Sequence, residues 1–183
     1  MDWNDKKLIE LLKEGGVCVM PTDTIYGVVG RAESELTVNR IYALRKRNEV
    51  KPCIILIGSI EELTKFNITL TEVQKNIIEK YIEPTSFILD CSLEKFAYLH
   101  CGTKTLAFRI PALAPLRNLL LQTGPLIAPS ANTEALPPSN NIADAKKYFG
   151  DAVDLYVDGG QVVSRASRVI RLHKDGRVDI IRQ

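Results

Sequence analysis

Arg45, Lys46, Arg47 and Lys51 put four cations into seven residues, with Glu49 as the one nearby acid. Arginine forks bind phosphate oxygens in pairs and lysine adds a mobile point charge, the combination a polyphosphate site needs. The same residues also suit a solvated helix C-terminus, where cations offset the macrodipole. A second cluster, Pro21-Thr22-Asp23-Thr24-Ile25-Tyr26-Gly27, gathers two hydroxyls, a carboxylate and a phenol. Those groups suit a small polar ligand such as an amino acid; the alternative is an Asx or ST turn that satisfies only its own backbone. Ser130-Ala131-Asn132 carries the same two readings. Arg109 stands in the apolar stretch Leu106-Ala107-Phe108 to Ile110-Pro111. If buried, it needs an anionic partner, either a protein carboxylate or a ligand.

Neither G-x-x-x-x-G-K-[ST] nor G-x-G-x-x-G occurs, so a nucleotide site here must be built from side chains rather than from a glycine-rich backbone cradle. The four cysteines, Cys18, Cys53, Cys91 and Cys101, show no C-x-x-C spacing and read as reduced core thiols. His100 and His173 are the only histidines and neither lies in H-E-x-x-H. That supply argues against a protein-built zinc site and against a Ser-His-Asp hydrolase.

The elements that must position these groups are legible from periodicity. Leu8, Ile9, Leu11 and Leu12 predict a helix over 4–14, stopped at Gly15-Gly16. Val17 to Met20 predicts a strand that opens at Pro21 into the hydroxyl-rich loop. Ser34 caps a helix reaching Leu44, with Val38, Ile41 and Tyr42 inward, and the basic connector from Arg45 to Pro52 leads into a strand over 53–57. Ser59-x-x-Glu62 and Thr71-x-x-Gln74 read as capping boxes. Further strands are expected over 86–90, 105–110, 126–128, 155–157, 169–172 and 178–181, the last two joined through Asp175-Gly176. Helices are expected from Pro115 to Gly124 and over 142–149, the latter following the loop-rich stretch Pro137 to Asn141. Strands interleaved with helices indicate an α/β fold with a mixed sheet.

With 183 residues, 24 Lys+Arg, 22 Asp+Glu and a net charge of +2, the chain fits a single domain spanning 1–183. A chain of that length buries about 70% of its unfolded surface, so no covalent staple is required. Hydrophobic residues at 45% and charged residues at 25% exclude disordered and collagen-like classes. No signal-peptide pattern and no run near the ~18 apolar residues of a membrane span is present, which leads to the expectation of a cytoplasmic location without membrane contact.

Taken together, these segments resemble the YrdC/Sua-type family of threonylcarbamoyl-AMP synthases from about Gly15 onward. The resemblance rests on Pro21 to Gly27, Arg45-Lys46-Arg47 with Lys51-Pro52, Arg109-Ile110-Pro111, Pro129-Ser130-Ala131-Asn132, Asp158-Gly159-Gly160 and Ser167. It implies a single-domain twisted mixed β-sheet with flanking helices and an electropositive concave face. The implied reaction joins L-threonine, bicarbonate and ATP into threonylcarbamoyl-AMP and pyrophosphate, for tRNA threonylcarbamoyladenosine, with Mg2+ accompanying ATP. Carried over by position, Thr24, Arg109 and Ser167 hold threonine. Arg47, Lys51, Thr105, Ser130, Asn132 and Arg182 surround ATP, and of these Arg47, Lys51, Ser130 and Asn132 carry the reaction.

Three positions depart from the family pattern: Arg45 replaces the lysine of a K-x-R signature, Glu83 the glycine of a P-G-P segment, and Arg168 a common threonine. They leave room for a noncatalytic nucleotide- or RNA-binding relative of the same fold, with RNA or tRNA-modification proteins as partners. The six basic residues Arg165, Arg168, Arg171, Lys174, Arg177 and Arg182 are the feature that favours RNA. Their alternating strand positions and the lack of interleaved aromatics count against it.

Overall fold

The computed structural model describes residues 3–48 and 51–183. In chain order the helices are α1 (Lys6–Lys13), α2 (Glu35–Arg45), α3 (Glu72–Lys80), α4 (Ala97–His100), α5 (Ala114–Thr123) and α6 (Ile142–Phe149). The strands are β1 (Cys18–Pro21), β2 (Tyr26–Arg31), β3 (Ile54–Leu56), β4 (Thr85–Asp90), β5 (Thr105–Arg109), β6 (Leu126–Ile127), β7 (Leu155–Tyr156), β8 (Arg168–Leu172) and β9 (Val178–Arg182). Short 3-10 turns cover Ile60–Phe66 and Glu94–Phe96. All nine strands join one mixed sheet in the order β7-β1-β2-β6-β3-β5-β4-β8-β9. This is the α/β architecture expected, with helices on both faces.

The two faces of the sheet have different fates. Along β5, Leu106 and Phe108 point into the larger core with Ile55, Phe87, Leu89 and Ile170, beneath α2 and the segments around Phe66 and Phe96. The period of two sends Thr105, Ala107 and Arg109 to the opposite face. There, α1 and α5 cover only one end, packing Leu8, Leu12, Leu116, Leu119 and Leu120 onto Cys18, Met20, Leu56 and Leu126. The other end of that face is left open as a concavity.

Most of the expected elements are present, with three corrections. Strand β2 is absent from the expected elements, because Gly27 and Gly30 interrupt it and burial on both faces removes the alternation that marks a strand. Gly30 is required: a Cβ there would lie 2.4 Å from Thr37 Cγ2 of α2. Pro21 does not end the strand ahead of itself but closes it, opposite Tyr26. Ser59 is not a capping-box residue, since it makes no side-chain cap bond and Glu62 instead accepts the Gly58 N–H at 2.6 Å while pairing with Lys65. The Thr71–Gln74 box is formed in both directions. Glu49 lies outside the described residues.

The thiols are free. Cys18, Cys53 and Cys91 are buried, and burial is the main force raising each of their pKa values, so none is poised as a nucleophile.

Candidate functional site

The open end of the sheet forms a cavity of about 360 Å³, within the ~300–1,000 Å³ typical of small-molecule sites. Ile54, Ile88, Ala107 and Val169 make its floor, and Thr24, Arg47, Thr105, Arg109, Ser130, Ser167 and Arg182 stand around it. Seven of the nine residues singled out in the sequence thus line one cavity. Three are arginines, and no carboxylate is among the described lining residues.

The β1–β2 loop supplies one wall. Thr22 is the centre of an ST turn: its hydroxyl donates to the Ile25 carbonyl at 2.8 Å and accepts from the Thr24 and Ile25 amides. Its single proton being used, the 3.1 Å contact between the two threonine hydroxyls is donated by Thr24. That leaves the Thr24 lone pairs as acceptors at the cavity. Arg109, 4% exposed, reaches this loop from the end of β5 and donates through Nη2 to Asp23 Oδ1 at 2.9 Å. Asp23 is therefore the protein carboxylate that the buried arginine requires. Burial lowers the Arg109 pKa, and Asp23 opposes that. Arg109 Nε remains without a partner. An unsatisfied arginine donor beside a hydroxyl acceptor matches the carboxylate and ammonium of an amino acid.

Arg47 emerges just past α2, where Lys46 adopts a left-handed conformation (φ 49°) and the Arg47 amide closes on the Tyr42 carbonyl. Its Nε and Nη2 donate to the carbonyls of Lys51 and Pro52 at 2.9 Å each, which fixes the guanidinium at the cavity mouth. Lys51 itself does not line the cavity: its ammonium is 2.7 Å from Glu134, which also accepts the Asn48 N–H. Hydrogen bonds from Lys51 and Asn48 hold the Glu134 carboxyl below its usual range.

Asn132 also lies behind the cavity wall rather than on it. It is 5% exposed, its Nδ2 donates to the Thr133 and Leu136 carbonyls, and its Oδ1 accepts from Arg45. Ser130, held near β2 by its bridge to Gly27, does face the cavity and accepts from Arg45 Nη2 at 3.1 Å. Thr105 opens β5 at the same end, in hydroxyl contact with Thr103 at 3.1 Å.

Ser167 is buried, 2.9 Å from the Ser86 hydroxyl on β4. Arg182 caps it by donating from Nε (3.1 Å) and Nη2 (2.7 Å) to the Ser167 carbonyl. A bulge in the β8–β9 hairpin decides this placement. Ile170 pairs with Ile180 but Val169 pairs with Arg182, so Ile181 is the extra residue. Paired residues share a face, and Val169 lies on the cavity floor, so Arg182 is delivered to the cavity.

Tyr26, within the Pro21–Gly27 segment, is fully buried and fastens the 158–160 turn. Its hydroxyl donates to the Gly160 carbonyl and accepts the Gly159 N–H. Gly159 cannot carry a side chain there, since a Cβ would lie 2.5 Å from Pro21 Cγ. Asp23, the carboxylate of the Pro21–Gly27 cluster, serves Arg109 rather than facing a ligand; Ser86 and Glu134 have no role in the sequence reading, and a serine inside an apolar strand is the one available signal, for Ser86. Two of the departures meet: Arg168 and Glu83 form an ion pair at 3.1 Å. The basic C-terminal stripe is largely consumed internally, with Arg171 paired to Asp90, Arg177 to Asp179, and Arg182 on Ser167.

Among the described residues no helix is long and apolar enough to cross a membrane. A Sua5/YciO/YrdC family model, described as "Telomere recombination", matches residues 10–183. The threonylcarbamoyl-AMP synthase of Hahella chejuensis is 28% identical over 86% of this chain and 86% of its own length. The human threonylcarbamoyl-AMP synthase is 27% identical over 93% of this chain, which spans 63% of that protein. The crystal structure of P. abyssi Sua5 complexed with L-threonine superposes with a TM-score of 0.84 at 27% identity, covering 94% of this chain and 52% of that one.

Proposed function

The chain belongs to the Sua5/YciO/YrdC family, and on that premise we propose that it is an ATP-dependent threonylcarbamoyl-AMP synthase. It joins L-threonine, bicarbonate and ATP, releases pyrophosphate, and supplies the adenylate for tRNA threonylcarbamoyladenosine. The observation that carries this reading is the pairing, in one cavity, of an amino-acid-sized polar wall at Thr24 and Arg109 with a cationic rim at Arg47 and Arg182.

The reaction needs that pairing. The threonine nitrogen bonds to the bicarbonate carbon, with loss of water and of an amine proton to solvent, and gives a carbamate anion. A carbamate oxygen then attacks the α-phosphorus of ATP, and the bond to the bridging oxygen breaks to release pyrophosphate. Anion attacks anion, so the chain's contribution is to hold the two close and to lower their repulsion. Arg109 takes the threonine carboxylate, Thr24 accepts from its ammonium, and Ser167 closes the pocket around the side chain. Arg47, Ser130 and Arg182 donate to phosphate oxygens, with Thr105 beside them. Lys51 joins them by leaving Glu134, while Asn132 supports the wall that holds Ser130.

Among the described residues no carboxylate lines the cavity, and no cluster of three or more metal-ligating side chains occurs. Magnesium is accordingly proposed to enter on the triphosphate, with phosphate oxygens and water as its ligands. The engaged C-terminal stripe gives no support to the RNA-binding alternative. Incubation with ATP, threonine and carbon-13-labelled bicarbonate, followed by mass analysis, tests the reading: the labelled adenylate is expected, and its absence alongside intact ATP would overturn it.

A further inference from the structure

Ser86 is a polar side chain inside an apolar strand that the reaction described above leaves unused. The register of β4 pairs it with Val169, and the period of two puts it on the same face as Ile88. Val169 and Ile88 both belong to the cavity floor. Ser86 shares that face without reaching the cavity, because it is 0% exposed and its hydroxyl has one partner among the described residues, Ser167 Oγ at 2.9 Å. Ser167, from the segment just before β8, covers it and does line the cavity. Arg182 holds the Ser167 carbonyl, so the main chain of Ser167 is fixed by one residue and its side chain rests on another. Arg182 is near enough to Arg109 for their charges to oppose each other, which places Ser167 at the Arg109 end of the cavity.

The two hydroxyls carry two protons, and their shared bond uses one. If Ser167 donated, the Ser86 proton would be left in an enclosed place with no acceptor, at the cost of a buried unsatisfied group. If Ser86 donates, the Ser167 proton is free to point into the cavity, where solvent or a ligand accepts it. The second arrangement is therefore the stable one. Ser167 presents a donor, the complement of Thr24, whose lone pairs face the same cavity. A side-chain oxygen of the substrate meets that donor with a partner, whereas an aliphatic carbon in its place leaves the donor unpaired.

We infer that Ser86 is a positioning residue for the selection of a hydroxyl-bearing amino acid: without touching the substrate, it fixes the Ser167 hydroxyl as a donor to the substrate's side-chain oxygen. The inference rests on the proposal that threonine occupies the Thr24–Arg109 end of the cavity.

The test is calorimetry on the full chain with four amino acids: threonine and serine, which carry the hydroxyl, and valine and 2-aminobutyrate, their counterparts without it, the latter two read by competition against threonine. Ser86→Ala is expected to weaken threonine and serine about tenfold, the scale of one hydrogen bond, and to leave valine, 2-aminobutyrate and ATP unchanged. Ser86→Thr and Ser86→Val form a second comparison, equal in shape and different in the hydroxyl, so that any effect of the added bulk is shared. The first is expected to prefer threonine over valine about tenfold more than the second does. Ser167→Ala should lose the same preference, and adding Ser86→Ala to it should cost little more, since the two hydroxyls act as one unit. In pyrophosphate release, Ser86→Ala is expected to raise the KM for threonine with kcat nearly unaltered. A Ser86→Ala protein that keeps the full preference for hydroxyl-bearing ligands, or one that loses all four amino acids and ATP alike as a purely structural seal would, overturns the inference alone. An unaltered protein that binds valine as tightly as threonine overturns the threonine reading together with it.

Discussion

Arg109 and Asp23 form an ion pair at 2.9 Å whose side chains are 5% and 4% exposed, so the charge that faces the Thr24 end of the cavity is held by a carboxylate hidden behind it. Asp23 Oδ2 also accepts the Ala112 N–H, tying the β1–β2 loop to the segment after β5. Removing one partner of a buried pair strands the other, so Asp23→Ala is expected to cost about 3–5 kcal/mol of stability. Combining it with Arg109→Met should restore part of that loss in urea unfolding without restoring threonine binding. A double variant as unstable as the sum of the two single changes would show that the pair is not coupled.

Arg47 spends two donors on its own loop and offers the remainder to the cavity, so its removal separates chemistry from folding. Arg47→Ala is expected to slow pyrophosphate release about 100-fold, or ~3 kcal/mol, while global stability falls by only ~1 kcal/mol with the loss of the Lys51 and Pro52 contacts. Steady-state rates read beside thermal unfolding check both. Near-normal turnover would remove Arg47 from the phosphate site.

Arg182 lies one residue from the end of the chain, where trimming is ordinarily harmless. Here the β8–β9 bulge and the Ser167 carbonyl bring it to the cavity. Deleting residues 182–183 is expected to weaken ATP binding by about 1–3 kcal/mol, the range of a hydrogen bond to a charged group, with threonine binding little changed. Calorimetric titration of both ligands checks this; unchanged ATP affinity would mean that the site is complete without Arg182.

Most elements and most of the residues around the cavity were legible in the sequence, for reasons that also explain what was not. The helices were legible because Leu8, Ile9 and Leu12, or Val38, Ile41 and Tyr42, repeat at helical spacing and end at caps. Strand β2 was not, since a strand buried on both faces and broken by glycines has no period to read. Seven candidate residues that meet in one cavity could be singled out because their types are chemically specific. The places of Lys51 and Asn132 depend on partners far along the chain, Glu134 for one and Arg45 for the other, and no local pattern announces such pairs. The β8–β9 hairpin is legible from Asp175-Gly176, but the extra residue Ile181 that turns Arg182 inward depends on register, which hydrophobic pattern alone does not fix at an exposed edge.

Asp154 links three elements: it accepts both Arg40 nitrogens, at 2.6 and 2.9 Å, and the Val17 N–H at 2.7 Å. The Arg40 contact holds its carboxyl below the usual range. A depressed carboxyl pKa stabilises the fold above the unfolded-state value, and that contribution disappears as pH falls through the folded-state value. Because the pair is partly solvated, Asp154→Asn is expected to cost about 1 kcal/mol at pH 7. The cost should vanish at a pH below the folded-state pKa. Urea unfolding across that range checks it, and a penalty independent of pH would contradict the assignment.

The most direct measurement of the central claim is pyrophosphate release with each substrate omitted in turn. The account predicts release only when ATP, bicarbonate and threonine are all present, and almost none when valine replaces threonine, because the Ser167 hydroxyl proposed to close on the substrate side chain would lose the substrate hydroxyl as its partner against an isostere lacking it. Pyrophosphate formed without threonine or bicarbonate, or none formed with all three, would contradict it.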